Sequence, residues 1–180
     1  MNRRTKIVLN EDEMNRALTR ISYEIIEYSD AISELVILGI PTRGEILAKR
    51  IGGKIAEITS RPVQVGTLDT TMYRDDLAKQ PTRLPHPTEI PVSGIENKRV
   101  VLVDDVLYTG RTAKAALDAL FALGRPSIVQ LAVLVDRGHR ELPIRPDFIG
   151  KNLPTSRQEI VTINCEEIDG TNSVVITGAA

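Results

Sequence analysis

The stretch VVLVDDVLYTGRT, Val100 to Thr112, runs four apolar residues into two adjacent carboxylates, Asp104 and Asp105, and then into Thr109, Gly110, Arg111 and Thr112. Ionised carboxylates only accept hydrogen bonds, so their natural neutral partners are hydroxyls, above all a vicinal diol. The TGRT segment opens an alanine-rich helical pattern, Thr112 to Leu123, ended by Gly124 and Pro126. A helix start offers unpaired backbone N–H groups and the positive end of the helix dipole, both suited to an anion. Gly110 permits close backbone approach, the Thr109 and Thr112 hydroxyls can donate, and Arg111 adds positive charge. A diol site a few residues from a phosphate site describes a ribose 5-phosphate. Acids after a strand are also common turn residues, a lone Thr often only caps a helix, and paired acids in receiver-like domains bind Mg²⁺. The complete run of apolar strand, acid pair and TGRT favours the sugar phosphate.

Such a site needs a strand to carry the acids and a helix to carry the amides, and the chain alternates such elements throughout. Asn10 followed by Glu13 forms a capping-box pattern ahead of Met14, Ala17, Leu18, Ile21 and Ile25 at helical spacing. LVILGI, Leu35 to Ile40, is an apolar run of strand length, and Glu45 through Ile58 reads as helix. Further strands are predicted at Val63–Leu68, Val100–Val103, Val129–Val135, Ile160–Ile163 and Val174–Ile176. Apolar strands alternating with helices predict an α/β fold, a mostly parallel sheet flanked by helices.

Two stretches break this rhythm. The segment from Asp75 to Pro91 is polar and contains Pro81, Pro85, Pro87 and Pro91, which predicts a long exposed loop of the functional kind. The segment from Asp136 to Arg157 is rich in charge, Pro and Gly after a buried strand. At 180 residues, 42% hydrophobic and 26% charged, the chain is most simply one domain, residues 1–180. A net charge of −1 gives no global attraction to nucleic acid, so any basic surface must be local. The single Cys165 excludes an intramolecular disulfide and fits a reducing compartment. No signal peptide or apolar run of membrane-spanning length is visible, so a cytoplasmic protein without membrane attachment is expected.

These residues carry a family resemblance. VVLVDDVLYTGRT resembles the phosphoribosyl pyrophosphate (PRPP) motif of the type I phosphoribosyltransferases. ALTRI at Ala17, GIPTRG at Gly39, YRDDL at Tyr73, DRGHRELPIR and GKNLPTS narrow the likeness to the family of pyrimidine-operon attenuators that are also uracil phosphoribosyltransferases. The resemblance implies a type I phosphoribosyltransferase fold with a small hood at about 136–180 and a flexible loop at about 73–91. It implies the reaction uracil plus PRPP giving UMP plus pyrophosphate, with Mg²⁺ held through PRPP rather than directly by protein.

In that reading Asp104 and Asp105 hold the ribose and are the catalytic pair, and Val106, Leu107 and Tyr108 link them to the phosphate cradle Thr109–Gly110–Arg111–Thr112. Thr42, Arg43 and Gly44 in GIPTRG suit pyrophosphate. Arg74 and Arg83, in the flexible loop, would lie near it. Arg137 and the backbone around it would read uracil, with Val161 on a neighbouring strand lining the same pocket. The sequence offers no clear general base for uracil N1, and Asp136 stands as a guess.

The resemblance also implies a regulator that binds pyrimidine-operon leader RNA when UMP, and possibly other uridine nucleotides, are plentiful, promoting transcription attenuation. It places RNA contacts at Thr19, Arg20 and Thr42, and at the hood residues His139, Arg140, Arg145 and Lys151. Where well-known members carry His and a basic residue further along the first helix, this chain has Tyr23 and Tyr28. Tyrosine can stack but supplies no phosphate charge. A phosphoribosyltransferase without RNA binding, or one acting on another base, is the alternative. The family forms homodimers and higher assemblies, and the same is expected of this chain.

Overall fold

The computed structural model describes residues 4–75 and 84–178. Eight strands and four α-helices follow one another as β1 (Arg4–Leu9), α1 (Glu11–Glu27), β2 (Leu35–Gly39), α2 (Arg43–Thr59), β3 (Gln64–Thr67), β4 (Arg99–Leu107), α3 (Arg111–Leu123), β5 (Ile128–Asp136), β6 (Phe148–Asn152), β7 (Ile160–Asn164), the short α4 (Glu166–Asp169) and β8 (Ser173–Gly178). Five of the strands form a parallel sheet in the order β3-β2-β4-β5-β6. The predicted class holds, and the central sheet is parallel throughout.

The continuous apolar runs are explained by burial on both faces. Every residue of β2 is buried. One face packs Leu35, Ile37, Val101, Val103 and Leu134 against the apolar stripes of α1 and α2. The other packs Val36, Leu38, Val100, Leu102 and Val133 against Ala113, Ala116, Ala119 and Leu120 of α3. The predicted capping box is present: the Asn10 side chain accepts from the Glu13 amide at 2.9 Å, and Glu13 accepts from the Asn10 amide at 2.9 Å.

The hood is a separate antiparallel sheet in the order β1-β8-β7. Its composition differs from the expected 136–180 segment in two respects. The N-terminal strand β1 pairs with β8, Arg4 opposite Gly178, and β6, inside the expected span, joins the central sheet instead. Core residues Leu9, Ile163, Cys165 and Val174 join the hood to the α1–α2 side. Cys165 is fully buried, a small core residue as expected, and burial raises its thiol pKa.

Candidate active site

Chain order along the sheet reverses between β2 and β4. The segment after β2 crosses to β3 on one side, whereas β4, β5 and β6 spread to the other. In open α/β sheets the crevice beyond the strand ends at such a reversal is where ligands bind. The loop Ile40–Thr42 leaves β2 there, and the Asp104–Asp105 pair stands opposite. Gly39 pairs with Val103, and the Ile40 amide donates to the Val103 carbonyl at 2.9 Å. The acids therefore project one and two residues past the end of β2.

The sequence reading ended the strand before the acids, but β4 continues through both to Leu107. Asp104 sits opposite Val133 and Leu107 opposite Asp136 in the ladder with β5. The ladder with β5 passes over Asp105, so the regular alternation of side chains is interrupted at the acid pair. Asp104 is 8% exposed, and Asp105 is half-buried. Burial, then the neighbouring Asp105 charge, push the Asp104 pKa well above its ordinary value, against the pull of the Asp105 amide and the Arg74 charge. The Asp105 amide donates to Asp104 Oδ1 at 2.9 Å, and the Val106 amide donates to Asp105 Oδ1 at 2.8 Å. Asp105 is thus the more accessible acceptor of the pair. Val106 is half-buried beside the α1–α2 core, while Leu107 is buried on the α3 side.

The segment expected to cradle the phosphate lies at the start of α3. Gly110 adopts φ 92°, a left-handed conformation that favours glycine, although a Cβ there would make only ordinary contact, 3.4 Å from the Ile144 side chain. The N-cap Gly110 offers no side-chain cap, and the Arg111 amide makes only a long 3.4 Å bond to Thr109 Oγ1, so the first-turn amides of α3 could serve an anion. The Thr109 carbonyl accepts from the Glu141 amide at 2.9 Å, joining the cradle to the hood loop. Arg74, at the stem of the long loop, donates from Nη1 to Thr112 Oγ1 at 3.0 Å. Arg111, expected to add charge to the phosphate, instead bridges Asp75 at 2.5 Å and Glu141 at 2.8 Å. Neither acid was singled out from sequence, because pairing across 36 and 30 residues leaves no local pattern. Arg83 lies outside the described residues.

On the β2 side, the Pro41–Thr42 peptide is cis. Thr42 is exposed, and Gly44 is buried. A Cβ at Gly44 would meet the Val103 carbonyl oxygen at 2.5 Å and Asp104 Cα at 3.2 Å. Gly44 was read as an accessible amide; its demonstrable part is to let α2 press against β4 beside the acids. Arg43 Nη2 donates to Asp169 Oδ1 at 2.9 Å and Oδ2 at 3.2 Å.

In the hood, several expected binding groups are internally engaged. Arg137 is 8% exposed. It donates to Thr155 Oγ1 at 3.1 Å and to the Ser156 and Glu159 carbonyls at 2.9 Å each, while stacking 4.2 Å from the Tyr108 ring centroid. Its side chain thus holds the 155–159 loop rather than standing open to a base. Asp136, the guessed base, accepts from Gly138 N–H at 3.0 Å on one oxygen and from Arg140 at 2.5 Å on the other, so neither oxygen is idle. Asp136–Arg140 and Asn152–Thr155 enclose a cleft of about 380 Å³. Val161 does not line that cleft; it borders the α1–α2 core.

The expected RNA contacts divide. Arg20 lies against β6, donating to the Gly150 and Ile149 carbonyls, and pairs with Glu24 at 3.7 Å, while Lys151 is half-buried on the same strand. The Thr19 hydroxyl donates to its own helix at Asn15 O, 2.9 Å. His139, at φ 62°, bonds through its ring to the Thr155 carbonyl. Arg140 is committed inward, donating to the Ile144 and Tyr108 carbonyls at 2.8 and 2.9 Å as well as to Asp136. Arg145 is exposed but lines a groove with Ala113 and Leu117 on the α3 side, away from α1. Tyr23 is 56% exposed, and Tyr28 packs its ring edge-on against Phe148.

No group of three or more His, Cys, Asp or Glu that could hold a metal occurs among the described residues. No helix among the described residues is long and apolar enough to cross a membrane.

Comparison with known proteins agrees with this geometry. The phosphoribosyl transferase domain family model matches residues 5–163. The bifunctional protein PyrR of Leifsonia xyli subsp. xyli is 57% identical over 177 residues, covering 96% of each chain. That of Streptomyces coelicolor is 56% identical over 169 residues, covering 94% of this chain and 88% of its own. Among solved structures, a Bacillus anthracis hypoxanthine-guanine phosphoribosyltransferase superposes with a TM-score of 0.73 at 16% identity, covering 97% and 98% of the two chains. Hypoxanthine phosphoribosyltransferase from Trypanosoma cruzi, in complex with IMP, gives 0.73 at 17% identity, covering 95% and 92%. At such identities these two report the fold. The sequence relatives report more, and the chain belongs to the PyrR family of phosphoribosyltransferases.

Proposed function

We propose that the protein transfers the phosphoribosyl group of PRPP to uracil, giving UMP and pyrophosphate, and that it binds pyrimidine-operon leader RNA in response to UMP. The observation that carries the transferase reading is the convergence of three anion- or diol-seeking elements at the β2–β4 reversal: the Asp104–Asp105 pair, the start of α3 and the Thr42–Arg43 turn. Breaking the bond at the anomeric carbon builds positive charge on the ribose and negative charge on the leaving pyrophosphate. Asp105 accepts from the ribose hydroxyls and favours the cationic transition state. The amides and hydroxyls of Thr109–Thr112 hold the 5-phosphate, and Thr42 with Arg43 steadies the pyrophosphate. The protein's part is mainly positioning and electrostatic stabilisation. Mg²⁺ brought by PRPP supplies neutralisation of the leaving group. Arg74 and Asp75 stand beside the start of α3 at the edge of the site, and residues 76–83 of the expected loop lie outside the described residues.

The hood supplies the base end. With Arg137 occupied, uracil is read by the backbone of the 136–140 turn and neighbouring hood segments, whose carbonyls and amides match its alternating donors and acceptors. The test is a PRPP-dependent panel of uracil, hypoxanthine, guanine and orotate with product identification. UMP as the sole nucleotide supports the assignment, and turnover of a purine instead overturns it.

For the regulator, the supporting feature is two basic residues on adjoining elements, Arg20 of α1, which reaches the backbone of β6, and Lys151 on β6 itself. Leader RNA titrated with and without UMP at two salt concentrations tests it. UMP-enhanced binding that weakens with salt supports the reading, and no binding at either salt leaves only the enzyme. Assembly as a homodimer or higher oligomer would join two such sets of residues into one face.

A further inference from the structure

The seam between the hood and α2 carries an arrangement that phosphoribosyl transfer does not by itself require. Arg43 opens α2 at the pyrophosphate side. Its Nη2 binds Asp169, a hood residue 126 positions away. Its Nε is buried and is the one side-chain polar atom among the described residues in that condition without a partner. Buried polar groups are nearly always satisfied, so an orphaned donor at a ligand edge calls for a cause.

Asp169 is itself held independently of Arg43. Its Oδ2 accepts the Cys165 amide at 2.8 Å, immediately after β7, and its own amide donates to the Cys165 carbonyl at 2.7 Å. The Cys165 amide, and after it the Arg43 guanidinium, hold the Asp169 carboxyl below its ordinary pKa. A carboxylate oriented by backbone thus grips one end of an arginine whose other donors remain for something else.

We propose that Asp169 is a positioning residue: from the hood it pins Arg43 by Nη2, so that the part-exposed remainder of its guanidinium is presented in advance to the diphosphate of PRPP and to released pyrophosphate. The inference rests on the assignment of Arg43 to pyrophosphate. It links the base end of the site to its leaving-group end through one ion pair. A rotamer-rich side chain held before binding spares the ligand the cost of ordering it, and losing that hold weakens binding about threefold to tenfold.

The test compares Asp169→Ala, Asp169→Asn, Glu167→Gln and Arg43→Gln in the full-length protein. Glu167 pairs with Arg50 at 2.5 Å across the same seam without touching Arg43. The readouts are KM for PRPP, KM for uracil, the inhibition constant of pyrophosphate and thermal stability. Positioning predicts that both Asp169 variants raise KM for PRPP and the pyrophosphate constant about threefold to tenfold, with KM for uracil unchanged. Glu167→Gln moves neither. Equal effects from Glu167→Gln, or equal losses toward uracil and PRPP, mean a loosened seam and overturn the proposal. An unchanged pyrophosphate constant in Asp169→Ala, with a raised one in Arg43→Gln, also overturns it while leaving the pyrophosphate assignment intact. An unchanged constant in Arg43→Gln removes that assignment and the proposal with it. Should Asp169→Ala fail to fold, Asp169→Asn, which keeps the volume, decides the matter on the same constants.

Discussion

Replacing Gly44 by Ala tests whether the contact between α2 and β4 sets the geometry of the site. The added Cβ would stand 2.5 Å from the Val103 carbonyl oxygen and 3.2 Å from Asp104 Cα. Neither atom can retreat, because β4 is hydrogen-bonded to β2 on one side and β5 on the other. Restoring an ordinary contact of about 3.3 Å requires the start of α2 to move away by roughly 0.8 Å, and overpacking of this kind costs about 1–3 kcal/mol. In a chain of this length that lowers Tm by roughly 2–4 °C per kcal/mol. The displacement also carries Thr42 and Arg43 away from the acids, and misplacement on the order of 1 Å costs up to about 10²-fold in rate. The internal control is Gly53→Ala on the same helix, where the new Cβ meets nothing within 4 Å. It gains helix propensity, so it should be neutral or stabilising by up to about 1 kcal/mol with unchanged turnover. Calorimetry and steady-state kinetics on the two variants give the comparison. A Gly44→Ala protein that melts and turns over like Gly53→Ala would refute the reasoning.

Three further outcomes follow from the site. Asp104 has a pKa raised on folding, so between its ordinary value of 3.8 and its folded value the native state holds the proton more tightly than the unfolded chain, and stability falls as pH rises through that window. Asp104→Asn removes this dependence; its stability advantage over the parent should grow with pH across the window and vanish below it, as urea denaturation at a series of pH values would reveal. Asp105→Asn, at a half-buried position, should leave stability nearly unchanged and lower turnover by about 10²-fold; unchanged kinetics would remove Asp105 from the ribose. Arg137→Ala withdraws donors from Thr155, Ser156 and Glu159 together, and should cost about 2–4 kcal/mol in denaturant unfolding. A loss confined to uracil affinity with stability intact would return Arg137 to direct base reading.

The legible parts of this fold were those where one local pattern decides the outcome. The apolar run at Leu35, the capping box at Asn10 and the alanine-rich segment closing at Gly124 each became the predicted element to within a residue or two. The strand β6 was not anticipated, because Phe148–Asn152 holds only two large apolar residues and takes its place from pairing with β5. Strand β1, in the other sheet, is similar: Ile7 is 63% exposed, and the strand exists through β8. Within the site, motif residues were found by type, but their partners were not. Sequence shows that Arg111, Arg137 and Arg140 are cations near a ligand; only the fold reveals that Asp75, Glu141, Thr155 and Asp136 already occupy them. Long-range pairing determines which charges remain for a ligand, and it leaves no trace in local spacing.

The pairing of β1 with β8 bears on how the protein is made. Arg4 opposite Gly178 is a contact between residues near opposite ends of the chain, and such contacts form late and raise the entropic barrier to folding. During synthesis, the sheet from β2 to β6, with the sugar-phosphate half of the site, is complete by Asn152. The first strand must wait, unpaired, until residues 173–178 leave the ribosome. A nascent chain would therefore hold the sheet and the 136–140 turn before the antiparallel sheet that packs beside them. The exposed edge of β1 is the segment most in need of protection in that interval.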